Sequence, residues 1–194
     1  DIPSLQELRV HMQQHIVCEL QKTATHLVFG KGNEQASVVI IGEAPGKQED
    51  EQGIPFVGKA GKALDGYMQQ AHLSDVYITN MVKYRPPNNR NPTLQEIRVH
   101  APYLLAQLRI MQPKLLITLG NIATKFILAQ ADTSKIKNMP GISHVHGKIH
   151  TVYLNGYEVQ VFPLYHPAAL MYRGSLKEQM NQDIQKLREF LQED

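Results

Sequence analysis

Short apolar runs separated by segments of helical period constrain the fold of this chain more than any other feature. The runs SVVII, VYIT, KLLITL and VQVFPL lie at residues 37–41, 76–79, 114–119 and 159–164. Three of them lack the alternation of apolar and polar residues that marks a strand with one face in water. Strands that are covered on both faces and separated by helices predict a three-layer α/β/α domain with a central, mainly parallel four-stranded sheet.

Helix starts are marked by three capping boxes, in which a Ser or Thr precedes a Glu by three residues before an apolar periodic stretch. The boxes are Ser4 with Glu7, Thr93 with Glu96, and Ser175 with Glu178. Together with the helical period between the strands, they predict helices near residues 5–24, 60–72, 94–112, 121–130 and 176–192. A hairpin is predicted where residues 151–154 and 157–162 flank Asn155-Gly156, a pair typical of a two-residue turn.

The composition supports one globular domain. The chain has 194 residues, 42% hydrophobic and 20% charged, which excludes a disordered chain or a long coiled coil. The formal charge of +2 is too small to indicate nucleic-acid binding without a local basic patch. The lone Cys18 excludes an internal disulfide framework. We expect a single domain over residues 1–194, with residues 1–25 as an N-terminal helix packed on it, in a cytoplasmic monomer with no membrane segment.

Polar side chains follow the predicted strands at the points where the strands end. Glu43 lies in a turn rich in Gly and Pro after the first strand, Asn80 follows the second, and His166 follows the last. Because ligands of open parallel sheets bind beyond the carboxyl ends of the strands, we expect these three side chains to share one rim. Each residue type alone is more often structural, and the pattern by itself leaves the reaction open.

An ordered set of motifs carries a resemblance to a known family. The motifs are GEAPG at 42–46, GIPFVG at 53–58, VYITN at 76–80, VKYRPPNNRNP at 82–92, PKLLITLGNIA at 113–123 and HPAAL at 166–170. Together they resemble the motifs of uracil-DNA glycosylases, and they are closest to the family-four branch. The resemblance extends from about residue 14 to residue 190 and implies the fold of that superfamily.

The resemblance implies hydrolysis of the N-glycosidic bond of deoxyuridine in DNA, after the base has left the stack for a pocket. Gly42 belongs to the uracil-binding motif, and Phe56 occupies the position that stacks on uracil in the family. Asn80 matches the asparagine that reads O4 and N3–H of uracil, a pattern that cytosine reverses. His166 matches the histidine that contacts uracil O2, where charge develops as the bond breaks.

The sequence does not decide which group activates water. Other uracil-DNA glycosylases carry an Asp in the first motif where this chain, like family four, lacks it and has Ala44. Glu43 and Glu49 remain as catalytic candidates that could orient water or stabilise an oxocarbenium-like sugar. Glu43 could instead bind the base, and Glu49 with Asp50 could form a solvated pair on a loop.

Contacts with the DNA are expected from the loop after Asn80 and from the segment after His166. The expected DNA-binding residues are Lys83, Arg85, Arg90, Leu170, Met171 and Arg173. Leu170 or Met171 is expected to fill the gap that the flipped base leaves. One branch of the superfamily bonds covalently to DNA through a histidine in an inserted loop. The loop after Asn80 contains no histidine, so we expect no covalent intermediate.

Four positions at which family four usually holds a four-iron, four-sulfur cluster fall on His15, Cys18, Tyr84 and His100. Such clusters are normally held by four thiolates, so we predict that no iron–sulfur cluster and no other metal is bound. Zinc on His15, Cys18 and His100 is the alternative, because two His and one Cys form a known ligand set. We favour a site filled by packed side chains.

The sequence thus predicts a monofunctional uracil-DNA glycosylase of base excision repair, whose partner is uracil-containing DNA. Two other classes fit the same rim: a non-catalytic module that binds uracil or damaged bases, and an enzyme acting on a free nucleotide. In the binding module, neither Glu43 nor Glu49 would reach the sugar. The free-nucleotide enzyme would leave Lys83, Arg85 and Arg90 without a phosphate backbone to bind.

Overall fold

In the computed structural model, which describes residues 1–193, helices and strands alternate along the chain. The strands are β1 (Lys31–Gly32), β2 (Val38–Gly42), β3 (Tyr77–Asn80), β4 (Leu115–Leu119), β5 (His150–Leu154) and β6 (Tyr157–Leu164). The helices are α1 (Leu5–His15), α2 (Lys47–Gln52), α3 (Lys59–Gln70), α4 (Leu94–Met111), α5 (Gly120–Leu128), α6 (Ile142–Val145), α7 (Pro167–Tyr172) and α8 (Lys177–Gln192). Within the described residues, no helix is both long enough and apolar enough to cross a bilayer.

The four central strands are parallel and lie in the order β3-β2-β4-β6, which confirms the predicted core of the sheet. Two antiparallel edge strands, β1 beside β3 and β5 beside β6, extend the sheet to six strands rather than four. No apolar pattern marks β1, because it is only two residues long. β5 belongs to the predicted hairpin, and its turn has positive φ at both Asn155 and Gly156, as a type I′ turn requires.

The two faces of the sheet are covered by different helices, because successive side chains of a strand point to opposite faces. Val39 and Ile41 of β2 pack in one apolar cluster with α1, α4 and α5. Val38 and Ile40 pack in a second cluster with α3, α7 and α8. The architecture is therefore the predicted three-layer α/β/α arrangement.

The first helix is shorter than predicted. It ends at His15 rather than near residue 24, because Ile16 is extended, with φ −66° and ψ 134°. This turn of the chain buries Ile16 and Leu20 in the core, where a continuous helix would carry them past it. A 3₁₀ turn over Glu19–Lys22 follows instead.

Two of the three predicted helix caps form. Ser4 Oγ accepts the Glu7 N–H at 3.2 Å, and Thr93 forms a full capping box with Glu96. Ser175 makes no capping bond within residues 1–193, because the chain already turns as a 3₁₀ helix over Gly174–Leu176 and continues into α8. A capping residue needs an extended backbone, which this turn does not provide.

The carboxyl ends of the parallel strands meet at one rim. Gly42 pairs with Asn80 across β2 and β3, and Leu119 pairs with Leu164 across β4 and β6. The loops that follow these strands therefore converge on one edge of the sheet, as the sequence predicts.

Candidate active site

A pocket of about 490 Å³ opens at this rim. Six of the site residues expected from the sequence line it together, and four of them, Glu43, Phe56, Asn80 and His166, are candidates for contact with the base or the sugar. The remaining lining residues are Ala44, Pro45, Gly46, Glu49, Ala60, Asn89, Arg90, Asn91, Pro92, Ala168, Ala169 and Tyr172. The volume is that of a small-molecule site with a few convergent polar groups, which suits a single base.

Gly42 allows the residues at the base of the pocket to approach one another. A Cβ at this position would overlap both Asn80 Oδ1 and Phe56 Cζ. Gly42 is also the strand partner of Asn80 in the parallel ladder. A glycine is required here because the two side chains meet over its Cα.

Asn80 ends β3 with a buried side chain, 2% exposed, whose Oδ1 has no hydrogen-bond partner among residues 1–193. A buried amide oxygen without a partner destabilises a folded protein by about 1–3 kcal/mol, and native structures contain few of them. Asn80 lines the pocket, so a donor group of a bound ligand is the natural partner of this oxygen.

Phe56 has a left-handed backbone, with φ of 54°, which is uncommon for an aromatic residue. Two features hold it there. Lys31 Nζ donates to the Phe56 carbonyl at 3.1 Å, and Gly61 leaves room for that carbonyl, which a Cβ would overlap. The ring stacks against the imidazole of His166, with 5.7 Å between centroids and 27° between planes. Phe56 is thus a fixed aromatic wall of the pocket.

His166 is the N-cap of α7, and its Nδ1 accepts the Ala168 N–H at 3.1 Å. Because Nδ1 accepts, the neutral ring carries its proton on Nε2. Burial lowers the pKa of His166 to about 4, so the ring is neutral at pH 7. The side chain therefore supplies one N–H donor, at Nε2, without prior protonation.

Glu43 lies at the N-terminus of α5. Its Oε1 is 3.5 Å from the Ile122 nitrogen, and a Cβ on Gly120 would lie 2.6 Å from the same oxygen. Gly120 has φ of 84°, so both conformation and space require glycine there. Burial raises the pKa of Glu43 above its ordinary value, and the Ile122 N–H opposes this rise. No residue in the described part of the chain donates to Oε2, which leaves this oxygen for a ligand or water.

Glu49 binds the backbone of its own loop with both carboxylate oxygens. Oε1 accepts the Gly46 N–H at 3.1 Å, and Oε2 accepts those of Val57 and Gly58 at 2.9 and 2.8 Å. These bonds join the turn after β2 to the segment that carries Phe56. Glu49 is therefore placed to shape the pocket, and its oxygens are already occupied by donors.

The alternative of a solvated Glu49–Asp50 pair is wrong. Asp50 is buried, 4% exposed, and its carboxylate accepts the N–H groups of Thr25 and His26 at 2.8–3.1 Å. Glu49 is held by its three backbone donors. Adjacent carboxylates can point in different directions from the start of a helix, which the sequence does not reveal.

Two of the predicted DNA-binding side chains are buried, so the prediction is wrong for them. Lys83 has no exposed surface, and its Nζ donates to Thr79 Oγ1 at 2.8 Å and to the Asn80 carbonyl at 2.6 Å. Leu170 is 4% exposed because it faces the sheet from α7. A side chain packed in the core cannot contact a DNA backbone or enter a base stack.

The residues at the end of α7 and just after it are exposed at the rim. Met171 and Arg173 are exposed, as predicted for a DNA-contacting segment. Tyr172 is 88% exposed and lines the pocket, although the sequence analysis did not select it. Its position at the last turn of a six-residue helix depends on where α7 ends, which the motif HPAAL does not specify.

The loop after β3 places its two arginines in hydrogen bonds with neighbouring side chains. Arg85 Nε donates to Asn89 Oδ1 at 2.7 Å, and Arg90 binds the Glu96 carboxylate through two bonds of 2.8 Å. Asn89 and Asn91 line the pocket, and the sequence analysis missed both. The only indication of their role was that they lie in a loop rich in Pro and Asn next to the rim.

Comparison with known proteins agrees with this geometry. Residues 29–191 match the family model described as the uracil DNA glycosylase superfamily. The chain belongs to this superfamily. Three type-4 uracil-DNA glycosylases are similar to it over most of both lengths. The Archaeoglobus fulgidus protein is 44% identical, over 89% of this chain and 85% of its own. The Saccharolobus solfataricus protein is 41% identical (90% and 80%), and the Thermotoga maritima protein 35% (91% and 89%).

The positions that the resemblance aligned with a cluster are occupied by His100, Cys18 and Tyr84, which pack against one another. His100 Nδ1 accepts the Lys83 backbone N–H at 3.0 Å, and its Nε2 lies 3.4 Å from Cys18 Sγ. Tyr84 meets the His100 ring edge-on, with centroids 6.0 Å apart. His15 is exposed, and its Nδ1 bonds a carbonyl of its own helix.

These side chains do not fit a four-iron cluster, because the chain has one thiol. Burial raises the pKa of Cys18 and lowers the pKa of His100 to about 3, so the pair is a neutral thiol beside a neutral imidazole. Within residues 1–193, no group of three or more His, Cys, Asp or Glu side chains is arranged to hold a metal ion.

Replacing His100 with alanine is expected to destabilise the protein by about 3 kcal/mol, because a cavity forms and the buried Lys83 N–H loses its acceptor. For a chain of this length, the melting temperature should fall by about 6–12 °C, measured by calorimetry. The matched control His15→Ala, at an exposed position, should change it by less than about 2 °C. Equal losses in both variants would contradict the packed site and favour a shared metal.

Proposed function

We propose that this chain is a monofunctional uracil-DNA glycosylase of base excision repair, which hydrolyses the N-glycosidic bond of deoxyuridine in DNA. The convergence of Asn80, Phe56, His166 and Glu43 on one pocket carries the proposal. The names of the type-4 relatives support the same activity.

Recognition of uracil follows from the groups at the base of the pocket. Phe56 offers an aromatic face to a flat base, and stacking of this kind tolerates any base. Selection therefore rests on the Asn80 carboxamide, whose free oxygen accepts from N3–H while its amide donates to O4. Cytosine presents an acceptor at N3 and a donor at C4, so it would meet like groups.

Bond cleavage places negative charge on the departing uracil. The Nε2–H of neutral His166 donates to uracil O2, and this bond strengthens as the charge develops. A donor that is already neutral and fixed by the Ala168 N–H needs no proton transfer before the bond breaks. The uracil anion then leaves without forming a covalent bond to the enzyme.

Glu43 is the carboxylate that we assign to the sugar side of the reaction. Its ionised form orients water and stabilises the oxocarbenium-like sugar, with Oε2 available for this contact. Glu49 is assigned a positioning role instead, because three backbone N–H groups occupy its oxygens.

The rate of uracil excision should depend on the protonation of Glu43. Burial raises its pKa, so kcat should fall with decreasing pH, with a midpoint above the ordinary value of 4.5. His166 gains its proton at lower pH, since its pKa is about 4. Glu43→Gln should lower kcat by about 10²-fold and remove this acidic limb. A pH profile that keeps the same limb in Glu43→Gln would assign the titration to another group.

DNA binding is proposed for residues around the pocket that are exposed or half-buried. Arg85, Arg90 and Arg173 contact phosphates, and Arg90 would share its guanidinium with Glu96. Met171 or the neighbouring Tyr172 enters the base stack, since both are exposed and Leu170 is buried.

We also propose that the protein works without an iron–sulfur cluster, as a cytoplasmic monomer. The hydrogen-bonded His100–Cys18 pair supports the first part, and a lone free thiol suits a reducing compartment. The purified protein should be colourless, and metal analysis should find neither iron nor zinc in stoichiometric amount.

The test of the function is excision from a labelled oligonucleotide with a single uracil, with an otherwise identical thymine oligonucleotide as control. Alkali-labile cleavage at uracil alone supports the proposal. Uracil-selective binding without cleavage would instead indicate a damage-binding module. The absence of both would indicate that the pocket serves a free nucleotide or another ligand.

A further inference from the structure

Lys83 is a buried lysine that the reaction described above does not use. Its side chain has no exposed surface, and no carboxylate within residues 1–193 forms an ion pair with it. Burying an amine is unfavourable, and a methionine of similar length would fill the same space without that penalty. The contacts of the amine therefore need an explanation beyond packing.

The Lys83 amine binds the last two residues of β3, Thr79 and Asn80, and Asn80 is the residue proposed to read the base. Nζ lies 2.6 Å from the Asn80 carbonyl oxygen and 2.8 Å from Thr79 Oγ1. The Thr79 hydroxyl donates its own proton to the Phe29 carbonyl at 2.7 Å. Lys83 must therefore be the donor to Thr79, and its second contact is a donation to Asn80.

The geometry of the amine matches these two contacts. Burial lowers the pKa of Lys83 well below its ordinary value. Two acceptors lie in reach, on Thr79 and Asn80, and the amine donates an N–H to each. The amine is thus a fixed clamp on the Asn80 carbonyl.

The Asn80 carboxamide depends on such a clamp for its direction. No described residue forms a hydrogen bond with this side chain, and its buried Oδ1 is unpaired. Its orientation is set by its backbone and by packing over Gly42 against Phe56. Tethering of the Asn80 carbonyl therefore controls the angle at which the carboxamide enters the pocket.

We propose that Lys83 is a positioning residue for uracil recognition, which holds the Asn80 main chain so that its carboxamide meets the edge of the base. This inference rests on the proposed function, because it assumes that Asn80 reads uracil. It assigns Lys83 a role within the protein in place of the DNA contact expected from the sequence.

A double-mutant cycle with Lys83→Met and Asn80→Ala tests the role, using single-turnover excision of uracil. Misplacement of a recognition group by a fraction of an ångström should lower the excision rate of Lys83→Met by about 10–100-fold. In the Asn80→Ala background the same change should alter the rate by less than about threefold, because the group being positioned is gone. A merely structural lysine would lower the rate by the same factor in both backgrounds, which would overturn the proposal.

Gln107→Met is the matched control. Gln107 is also buried, and its Nε2 donates to the same Phe29 carbonyl at 3.1 Å, but it forms no hydrogen bond with Asn80. We expect this variant to melt at a lower temperature and to keep the wild-type rate. If Lys83→Met does not fold, Thr79→Val loosens the amine while retaining it. The excision rate of Thr79→Val should be several-fold lower than that of the wild type, and this difference should disappear in the Asn80→Ala background. A difference that persists there would overturn the proposal.

The same assays separate failure of this inference from failure of the proposed function. A wild-type protein that does not excise uracil overturns both. An active wild-type protein whose Asn80→Ala variant is fully active overturns the reading role of Asn80, and with it the role of Lys83. The third outcome is an active wild-type protein and an impaired Asn80→Ala variant, with losses of rate from Lys83→Met and Asn80→Ala that add in the double variant. This outcome overturns only the role of Lys83.

Discussion

Replacing His166 with alanine is expected to lower kcat for uracil excision by about 10²–10³-fold, the usual effect of removing one donor aimed at developing charge. The donor is the Nε2–H of a neutral ring, because Nδ1 is occupied by the Ala168 N–H and the pKa is about 4. The charge on uracil O2 appears only as the bond breaks, so KM should change much less than kcat. Single-turnover and steady-state kinetics on the uracil oligonucleotide measure both.

The control for this variant is His144→Ala, an exposed histidine that does not line the pocket. It should leave kcat and KM unchanged. A loss of less than tenfold in His166→Ala would show that another group stabilises the leaving base. A fall in kcat between pH 8 and pH 6 that persists in Glu43→Gln and follows protonation of a histidine would contradict a neutral donor.

Replacing Asn80 with alanine is expected to lower kcat/KM by about 10³-fold. Two hydrogen bonds to the uracil edge would be lost inside a dry pocket, and each is worth about 2 kcal/mol when its partner is left unpaired. Stability should respond differently from activity. Oδ1 is buried without a partner among residues 1–193, so its removal relieves a cost of about 1–3 kcal/mol, and the lost packing of the side chain offsets this gain. The free energy of unfolding should therefore change by less than about 1 kcal/mol.

Asn121→Ala is the matched control for Asn80→Ala. Asn121 also follows a parallel strand, but its Oδ1 accepts the Ile142 N–H at 2.8 Å. Its replacement should destabilise the protein by about 1 kcal/mol and leave kcat/KM unchanged. If Asn80→Ala instead lost stability and activity together, Asn80 would be a structural residue rather than a reader of the base.

The sequence allowed the central sheet and the rim to be predicted because both depend on local patterns. Runs of Val, Ile and Leu mark strands covered on both faces, and the register of parallel strands brings Gly42 beside Asn80. Asn80 ends one such strand and His166 lies two residues beyond another, so their meeting in one pocket needs only the topology of the sheet. The motif resemblance then supplied roles that the pattern alone left open.

The burial and the hydrogen-bond partners of individual charged side chains could not be predicted from such patterns. Lys83 and Arg85 are two residues apart in one loop, yet one is fully buried and the other is half-buried. Lys83 can be buried because Thr79 and Asn80 supply acceptors for its amine once the chain has folded. A pattern of apolar and polar residues does not show these acceptors, so it predicts that the lysine is exposed. Glu49 was likewise a candidate catalyst until its backbone partners were known.

The ends of helices and the short edge strand also could not be predicted from the sequence. The two-residue strand β1 exists only because Lys31 and Gly32 lie beside β3, and the early end of α1 follows from burial of Ile16 and Leu20. Both are results of tertiary packing, which overrides local propensity.

The three backbone bonds of Glu49 bear on local unfolding of the chain around the pocket. One carboxylate holds the amide protons of Gly46, Val57 and Gly58, which belong to stretches on either side of α2. None of the three amides can exchange its proton with solvent unless its hydrogen bond to this carboxylate breaks. Hydrogen exchange at these positions should therefore be slow and correlated, so that the aromatic wall and the turn after β2 form one cooperative unit of local unfolding.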